Sequence, residues 1–303
     1  MNLGKLGEFG LIADIRKMVK VDSSVVKGIG DDTAVLKYSK DRYLLFTSDM
    51  LIEDVHFKRS AKPFDIGHKA LASSVSDIAA MGGRPKYAIV SIGLPKKLNV
   101  AYVRNLYAGI NNASKKFRIN IVGGDTNRSQ KIIIDIALIG EVEKKNLVLR
   151  SSAKAGDLIF ITGLLEPTLR TGKHLTFKPR FKESRFLVKN YRINSMIDIS
   201  DGLIQDLSHI LDESKKGAII YEKAILKIRG TSLKEALYGG ENYELIFTLS
   251  KDQARRLIRD KSKGKIKFSV SEIGSITNSK NKLIFIDANS NKKSLKIKGF
   301  RHF

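Results

Sequence analysis

The sequence of 303 residues contains no cysteine and no tryptophan, and its five histidines are scattered along the chain. The absence of cysteine excludes disulfides, thiolate nucleophiles and zinc-thiolate sites. No H-E-x-x-H pair occurs either, so a structural zinc site has almost no support. A metal site in this chain would therefore depend mainly on oxygen ligands.

Long apolar runs are also missing. No stretch is long enough to span a bilayer, and the amino terminus lacks the uninterrupted apolar region of a secretory signal. We therefore expect a cytoplasmic protein with no membrane partner. Hydrophobic and charged contents of 42% and 28% are typical of globular chains, and the length predicts about two domains.

The familiar loops of nucleotide enzymes do not occur. The sequence has no G-x-x-x-x-G-K-[ST] loop, no G-x-G-x-x-G fingerprint and no H-R-D catalytic loop. If the protein binds a nucleotide, its phosphates would have to be held mainly through metal ions bound to acidic side chains.

Acidic residues are scarce, with 31 Asp and Glu against 55 Lys and Arg, which gives a net charge of +24. The excess is spread along the chain, at +10 over residues 1–150 and +14 over residues 151–303. There is no basic arm and no zinc-finger or RNP-like motif. A solvated basic surface is the preferred interpretation, and we expect no nucleic-acid partner, although a basic nucleic-acid-binding protein stays an open alternative.

The few acids concentrate in particular places, above all in residues 28–57. Short apolar strands at 33–36 and 43–47, joined by a polar turn, predict a hairpin that returns the chain to its start. Carboxylate and hydroxyl oxygens suit Mg²⁺ carried on a nucleotide phosphate. The hairpin would gather such oxygens at its open end, from Asp31, Asp32, Thr47, Ser48 and Asp49.

A similar combination of small residue, hydroxyl and acid returns at 74–77, 123–126 and 198–202. Any one of these could be an ordinary turn or a helix N-cap. Four independent turns are a less economical explanation than one shared site. Converged carboxylates about 4 Å apart repel by roughly 4 kcal/mol at an effective dielectric constant of 20, so we expect a site that is incomplete without divalent metal.

Hydrophobic periodicity predicts a mixed α/β (α+β) fold. A polar stretch near residue 144 suggests a metal- and nucleotide-binding domain at 1–143 and an α/β domain at 144–303. The predicted helices are 11–21, 63–81, 100–117, 181–190, 203–214 (capped by Ser200 or Asp201), 232–237 and 251–259. The predicted strands beyond the hairpin are 87–94, 119–122, 132–142, 157–162, 196–199, 217–221, 245–249, 267–273 and 283–286.

Several blocks together resemble the thiamine-monophosphate kinases of the aminoimidazole ribonucleotide synthetase superfamily, in the right order and over nearly the whole chain. The blocks are GIGDDTAV, TSDMLIEDVHF, KALASSVSDIAAMGGRP, VGGDTNR, AGDLIFITG, DISDGL, GGENYEL and GFRHF. The resemblance implies transfer of the γ-phosphoryl group of ATP to thiamine monophosphate, giving thiamine diphosphate and ADP. It also implies a homodimer that pairs through the N-terminal domains, with the nucleotide near the subunit junction.

The resemblance further implies roles for individual residues. Contacts to ATP would come from Tyr107, Gly124, Asp125, Arg150 and Ser200. Contacts to the thiamine moiety would come from His56, Glu241 and Phe300. Several Mg²⁺ ions would be held by Asp32, Thr47, Ser48, Asp49, Asp77, Asp125, Asp198 and Asp201. We assign no general base, because an acceptor that is already a phosphate needs little help in losing a proton.

Two departures from the family pattern stand out. Residues 163–179 are compressed where the family carries a longer helical segment, and Asn242 replaces the usual Asp of the G-G-E-D-Y-E-L block. The nearest rival enzyme in the superfamily is phosphoribosylformylglycinamidine cyclo-ligase, against which the VHF and GFRHF blocks argue. Selenophosphate synthetase and the hydrogenase-maturation relative both depend on cysteine or its selenium analogue, which this chain lacks.

Overall fold

The computed structural model of the chain describes residues 2–297, 299 and 300. The last three residues of the GFRHF block, 301–303, lie outside this part of the chain. Within the described residues, no helix combines the length and the apolar character needed to cross a membrane.

The first half of the chain forms a six-stranded sheet in the order β1-β2-β3-β6-β4-β5. The expected hairpin is confirmed, with β2 and β3 antiparallel and Ala34 opposite Phe46. All strands are antiparallel to their neighbours except β4 and β5. The strands are β1 Val25–Lys27, β2 Ala34–Lys37, β3 Arg42–Ile52, β4 Arg84–Leu94, β5 Asn120–Arg128 and β6 Ile133–Glu143.

Two long helices cover one face of this sheet and bury its apolar side chains. They approach each other closely at glycines, where a Cβ on Gly67 would lie 2.0 Å from Leu106 O and one on Gly109 would lie 1.9 Å from Phe64 O. Any larger residue at either position would push the helices apart. The helices of this half are α1 Leu3–Leu6, α2 Glu8–Met18, α3 Pro63–Ala80 and α4 Val100–Phe117.

The other face of the first sheet is open in the single chain. It carries large apolar side chains that are 44–62% exposed, on three different strands: Phe46, Met50, Tyr87, Ile89 and Val122. Contiguous apolar surface of this kind is typical of an interaction face.

The second half forms a seven-stranded sheet in the order β13-β12-β9-β11-β7-β10-β8. Its strands are β7 Leu158–Thr162, β8 Ile193–Asp198, β9 Gly217–Tyr221, β10 Leu245–Leu249, β11 Val270–Thr277, β12 Leu283–Ile286 and β13 Lys292–Ser294. Its helices are α5 Thr168–Thr171, α6 Phe181–Asn190, α7 Leu203–Ser214, α8 Leu233–Tyr238 and α9 Lys251–Ser262. Short 3₁₀ turns occupy Lys144–Asn146, Arg150–Ser152, Lys173–Leu175 and Glu222–Ala224.

Helix α3 lies between the two halves. It contacts β3 and β6 of the first sheet, and β8 and α6 of the second half. A second link is the ion pair between Arg185 of α6 and Glu143 at the end of β6, with the Arg185 side chain only 8% exposed. The first sheet lies wholly before residue 144 and the second wholly after it, which is compatible with the proposed division into 1–143 and 144–303.

Most predicted elements are confirmed, and several match residue for residue, including helices 100–117, 181–190 and 203–214. The opening helix runs over Glu8–Met18, not 11–21, and the predicted strand 119–122 extends to Arg128. The prediction that Ser200 or Asp201 caps α7 is wrong, because the N-cap residue is Gly202 and makes no side-chain bond. Instead, Asp206 inside the helix accepts the backbone N–H groups of Asp201 and Gly202, each at 3.0 Å.

Candidate active site

Three carboxylates from distant parts of the chain meet where α3 faces both sheets. Asp32 precedes β2, Asp77 lies near the end of α3 and Asp198 ends β8, and one oxygen of each lies within 4.8 Å of the others. Neighbouring hydroxyls hold two of them in place. Thr47 Oγ1 donates to Asp77 Oδ2 at 2.6 Å, and Ser76 Oγ donates to Asp198 Oδ2 at 2.5 Å.

Asp49 lies on the same face of β3 as Thr47, toward α3. Its Oδ2 atom is buried and has no hydrogen-bond partner among the described residues. A buried carboxylate oxygen without a partner is costly in water-free surroundings. Together with the three acids above, this atom makes the donor set one that a hard cation such as Mg²⁺ fits.

Electrostatics supports that fit. Burial, together with the charges of Asp49 and Asp198, raises the pKa of Asp77 well above its usual range. Burial, and then the charge of Asp32, raises the pKa of Asp198 to about 7. Burial likewise raises the pKa of Asp49 to about 6. The protein alone therefore stabilises these carboxylates poorly as anions, and a divalent cation would supply the missing charge.

Arg150 is the positive group nearest to this cluster. Its Nη2 atom donates to Asp32 Oδ1 at 2.6 Å, and its backbone N–H points at the buried Asp31 carboxylate at 3.2 Å. Burial, and then the charge of Asp32, raises the pKa of Asp31 to about 7. Arg150 thus lies beside the acids, where a guanidinium could also reach a phosphate.

The raised pKa values predict how the metal-free protein responds to pH. Asp198, which faces Asp32, Asp49, Ser76 and Arg150, has a folded-state pKa of about 7 and an ordinary value of 3.8. A raised carboxyl pKa contributes stability below the ordinary value that is lost as the pH rises through the folded value. With EDTA present, the melting temperature should therefore fall between pH 4 and pH 7 more steeply for the wild type than for Asp198→Asn.

Melting curves of both proteins across this pH range would check the prediction, and added Mg²⁺ should raise the wild-type melting temperature more at pH 8 than at pH 5. Equal pH profiles for the two proteins would contradict it.

Strand alternation separates Ser48 from Asp49. The Ser48 side chain points to the open face of the sheet, where its Oγ donates to Asp135 Oδ1 at 2.9 Å. Asp135 of β6 is an acid that the sequence reasoning missed. The sequence did contain a signal for it, because Asp135 interrupts the apolar run of residues 132–142. A charged side chain in the middle of such a strand indicates a specific role for that residue.

Asp125 does not join the acid cluster within one chain. It lies on the edge strand β5, in a row that continues through Ser91 and Asp135 to Met50 of β3, so its side chain points to the open face. Three strand spacings of about 4.8 Å put it roughly 14 Å from β3. Gly124, next to Asp125, also lies on the edge strand β5. Tyr107 lies on α4 and packs against the hydrophobic core of the first half of the chain.

A second group of predicted residues surrounds a cavity of about 350 Å³ next to Asp49. The residues expected to contact the thiamine moiety all line it, namely His56, Glu241 and Phe300. Ser200 and Asp201 line it too, at the end of β8. The rings of His56 and Phe300 lie 6.4 Å apart, and the Phe300 backbone N–H donates to Asp201 O at 3.2 Å.

Asp201 belongs to a different acidic group from Asp198. Its carboxylate lies within 4.8 Å of ligand atoms of Asp206 and His209 on α7. Of the residues predicted to bind metal, Asp201 therefore lies beside α7, and Ser48 and Asp125 lie on the open face of the first sheet. The others form an inner group. The inner group consists of Asp32, Thr47, Asp49, Asp77 and Asp198.

The two departures in sequence have local structural consequences. Asn242 uses its amide to join two loops, since Oδ1 accepts from Glu166 N at 3.0 Å and Nδ2 donates to Gly239 O at 3.1 Å. The compressed segment 163–179 carries Phe177, which stacks on Tyr243 at 3.7 Å between ring centroids. Both features support the wall of the cavity that carries Glu241.

Comparison with known proteins places this geometry in context. Residues 30–142 match the family described as AIR synthase related protein, N-terminal domain, and residues 155–286 match its C-terminal domain. Thiamine-monophosphate kinase of Buchnera aphidicola subsp. Schizaphis graminum is 38% identical, over 98% of this chain and 98% of its own length. The enzyme of that name from Aquifex aeolicus is 35% identical, over 100% of both chains.

A solved structure described as AaThiL complexed with AMPPCP and TMP has the same fold. It superimposes with a TM-score of 0.86 at 32% identity, covering 100% of this chain and 99% of that one. The two-domain mixed α/β fold expected from the sequence is confirmed by this match and by the two family domains.

Proposed function

The chain belongs to the thiamine-monophosphate kinases, a family built from the two AIR synthase related domains, and we propose that it transfers the γ-phosphoryl group of ATP to thiamine monophosphate. The products would be thiamine diphosphate and ADP. The observation that carries this proposal is the contact between two features: a cluster of buried carboxylates with an unpartnered oxygen on Asp49, and a cavity that Asp49 also lines.

In this proposal the inner group of acids is the phosphate end of the site. Asp32, Asp77 and Asp198, held by Thr47, Ser76 and Arg150, would bind Mg²⁺ together with Asp49. Bound Mg²⁺ would neutralise the phosphate oxygens and keep the reacting groups in line. Arg150 would exchange its contact with Asp32 for a phosphate oxygen, and Ser200 would reach the nucleotide from the end of β8.

The cavity beside Asp49 is the acceptor end. Its aromatic side chains, His56 and Phe300, and the carboxylate of Glu241 suit a flat heterocycle that carries an amino group. Because the attacking atom is an oxygen of an ionised phosphate, positioning and charge neutralisation account for most of the catalysis. No residue of the chain therefore needs to act as a general base.

We also propose that the active form is a homodimer whose two copies pair through the open face of the first sheet. That face carries exposed apolar side chains together with Ser48, Asp135 and Asp125. A single chain leaves the apolar side chains uncovered, and it keeps Asp125 apart from Ser48 and Asp135. Asp125 lies too far from β3 to share a cation with Ser48 of its own chain. Two-fold pairing through the open faces would bring Asp125 of a second copy close to Ser48 and Asp135.

The cyclo-ligase alternative would use the same acids and ATP but would give inorganic phosphate as a product. A direct test is to incubate the protein with Mg-ATP and thiamine monophosphate and to separate the products. Thiamine diphosphate and ADP should appear in equal amounts, and EDTA should stop the reaction. Absence of thiamine diphosphate, with turnover of another acceptor, would refute the proposal.

Nucleic-acid binding is tested in parallel by titrating the protein into labelled duplex at two salt concentrations. We expect weak binding that disappears at higher salt, as for any basic surface. Tight binding to the duplex that persists at the higher salt concentration would favour the nucleic-acid alternative instead.

A further inference from the structure

Lys69 is buried to an unusual degree for a lysine. It lies in the first half of α3, its exposed fraction is 0%, and it heads the fully buried side chains by volume among the described residues. Taking an ammonium group out of water costs several kcal/mol unless its hydrogen bonds are replaced. The position of Lys69 therefore calls for partners of matching strength.

Those partners are residues of the acceptor cavity. Lys69 Nζ lies 2.8 Å from the backbone oxygen of His56, 2.7 Å from Glu241 Oε1 and 2.5 Å from Glu241 Oε2. The ammonium group donates hydrogen bonds to His56 O and Glu241 Oε1, while Glu241 Oε2 is in ion-pair contact and accepts no hydrogen bond from the described residues. Lys69 does not line the cavity, so it acts on the cavity from behind its wall.

The two partners come from opposite halves of the chain. His56 belongs to the turn that follows β3, and Glu241 belongs to the loop before β10, so Lys69 connects the two sides of the cavity. Each partner is also fixed locally. His56 Nδ1 accepts from Ile52 N at 2.9 Å, which leaves the proton of a neutral ring on Nε2.

Glu241 has a backbone φ of +61°, a conformation that favours glycine, and its N–H donates to Ser200 O at 2.6 Å. A non-glycine residue in this region persists only when its surroundings hold it there. The ion pair with Lys69 is such a support, because it ties the Glu241 side chain to the rigid, glycine-packed helix α3.

We propose that Lys69 is a positioning residue for thiamine monophosphate: anchored inside α3 and on the backbone of the His56 turn, it holds the Glu241 carboxylate in place, so that this carboxylate is oriented to accept a hydrogen bond from an amino-bearing ring in the cavity. This inference rests on the proposed function. Lys69 itself would contact neither substrate, nucleotide nor metal. Its replacement should therefore weaken the binding of thiamine monophosphate and leave the binding of ATP unchanged.

The test is steady-state kinetics of Lys69→Met, which removes the ammonium group and keeps an unbranched apolar stem. KM for thiamine monophosphate should rise by about 10- to 100-fold, as expected when a binding group is misplaced by an ångström or less. KM for ATP and the Mg²⁺ dependence should stay close to the wild-type values. The double variant Lys69→Met with Glu241→Gln should have the same KM as Glu241→Gln alone, since Lys69 acts through Glu241.

Arg185→Met is the matched control. It breaks another buried ion pair between the two halves, the one with Glu143, at a site outside the cavity. It should lower the melting temperature and leave KM for thiamine monophosphate unchanged. If Lys69→Met does not fold, the double variant, which buries no unpaired charge, decides the question by its comparison with Glu241→Gln.

Three results would overturn the inference: an unchanged KM in Lys69→Met, equal increases in KM for both substrates, or a further rise of KM in the double variant over Glu241→Gln. Failure of the proposed function looks different, because the wild type itself would then form no thiamine diphosphate.

Discussion

Replacing Asp49 by asparagine is expected to lower kcat/KM for thiamine diphosphate formation by about 100-fold, the upper end of the range for loss of a group that organises a metal site. The melting temperature in EDTA should stay the same or rise. The reason is that Asp49 Oδ2 is buried without a partner, and burial already raises the pKa of this carboxyl to about 6. The amide keeps the shape and removes a charge that the metal-free fold stabilises poorly.

Asp54→Asn is the control for this substitution, because Asp54 lies in the same acid-rich stretch. It is an exposed acid with ion pairs to Lys58 and Lys131, and it lies outside both the acid cluster and the cavity. We expect it to keep wild-type activity. A loss of many degrees in the melting temperature of Asp49→Asn in EDTA would show instead that Asp49 is structural.

Mixing two inactive variants should restore activity if the site is shared between subunits. Asp49→Asn and Asp125→Asn homodimers would each lack one member at both sites. In a mixed dimer, however, one site would combine the intact Asp49 of one copy with the intact Asp125 of the other. Random exchange makes half of the dimers mixed, so the mixture should reach about one quarter of wild-type activity.

The alternative outcome is equally clear. If Asp125 acted within its own chain, each site of a mixed dimer would carry one defect, and the mixture would stay inactive. A mixture of Asp49→Asn with Asp77→Asn is the control, because those residues lie in the same cluster of one chain, so every site of their mixed dimers has a defect. Activity should be assayed after the subunits have been exchanged in mild denaturant and refolded.

Local sequence patterns predicted most of the secondary structure. Helix α4 and the strand 217–221 match their predictions residue for residue, because their apolar periodicity and bounding residues agree with the tertiary packing. The short strands β1 and β13 were missed, since three residues carry too little periodicity to register. Strand β5 continues through Gly123 and Gly124, although the predicted strand ended at Val122.

The candidate site was predicted in part. Recurrent acid motifs correctly suggested that Asp32, Asp77 and Asp198 would come together, although they come from the segment before β2, from helix α3 and from strand β8. The separation of Ser48 from Asp49 follows from strand alternation alone, but only once β3 is known to continue past Thr47. Lys69 could not have been found, because its significance depends on burial and on a loop 172 residues away in sequence.

Helix α3 joins the two ends of the site through one rigid element. Lys69 lies behind the wall of the cavity, and Asp77 lies in the acid cluster eight residues later, a rise of about 12 Å at 1.5 Å per residue. The helix therefore fixes the distance between the wall of the cavity and the acid cluster. Under the proposed function, a molecule with the same ring and no phosphate would fill the cavity beside Asp49 without reaching Asp77 at the far end of the acid cluster, so the helix would select acceptors by their length.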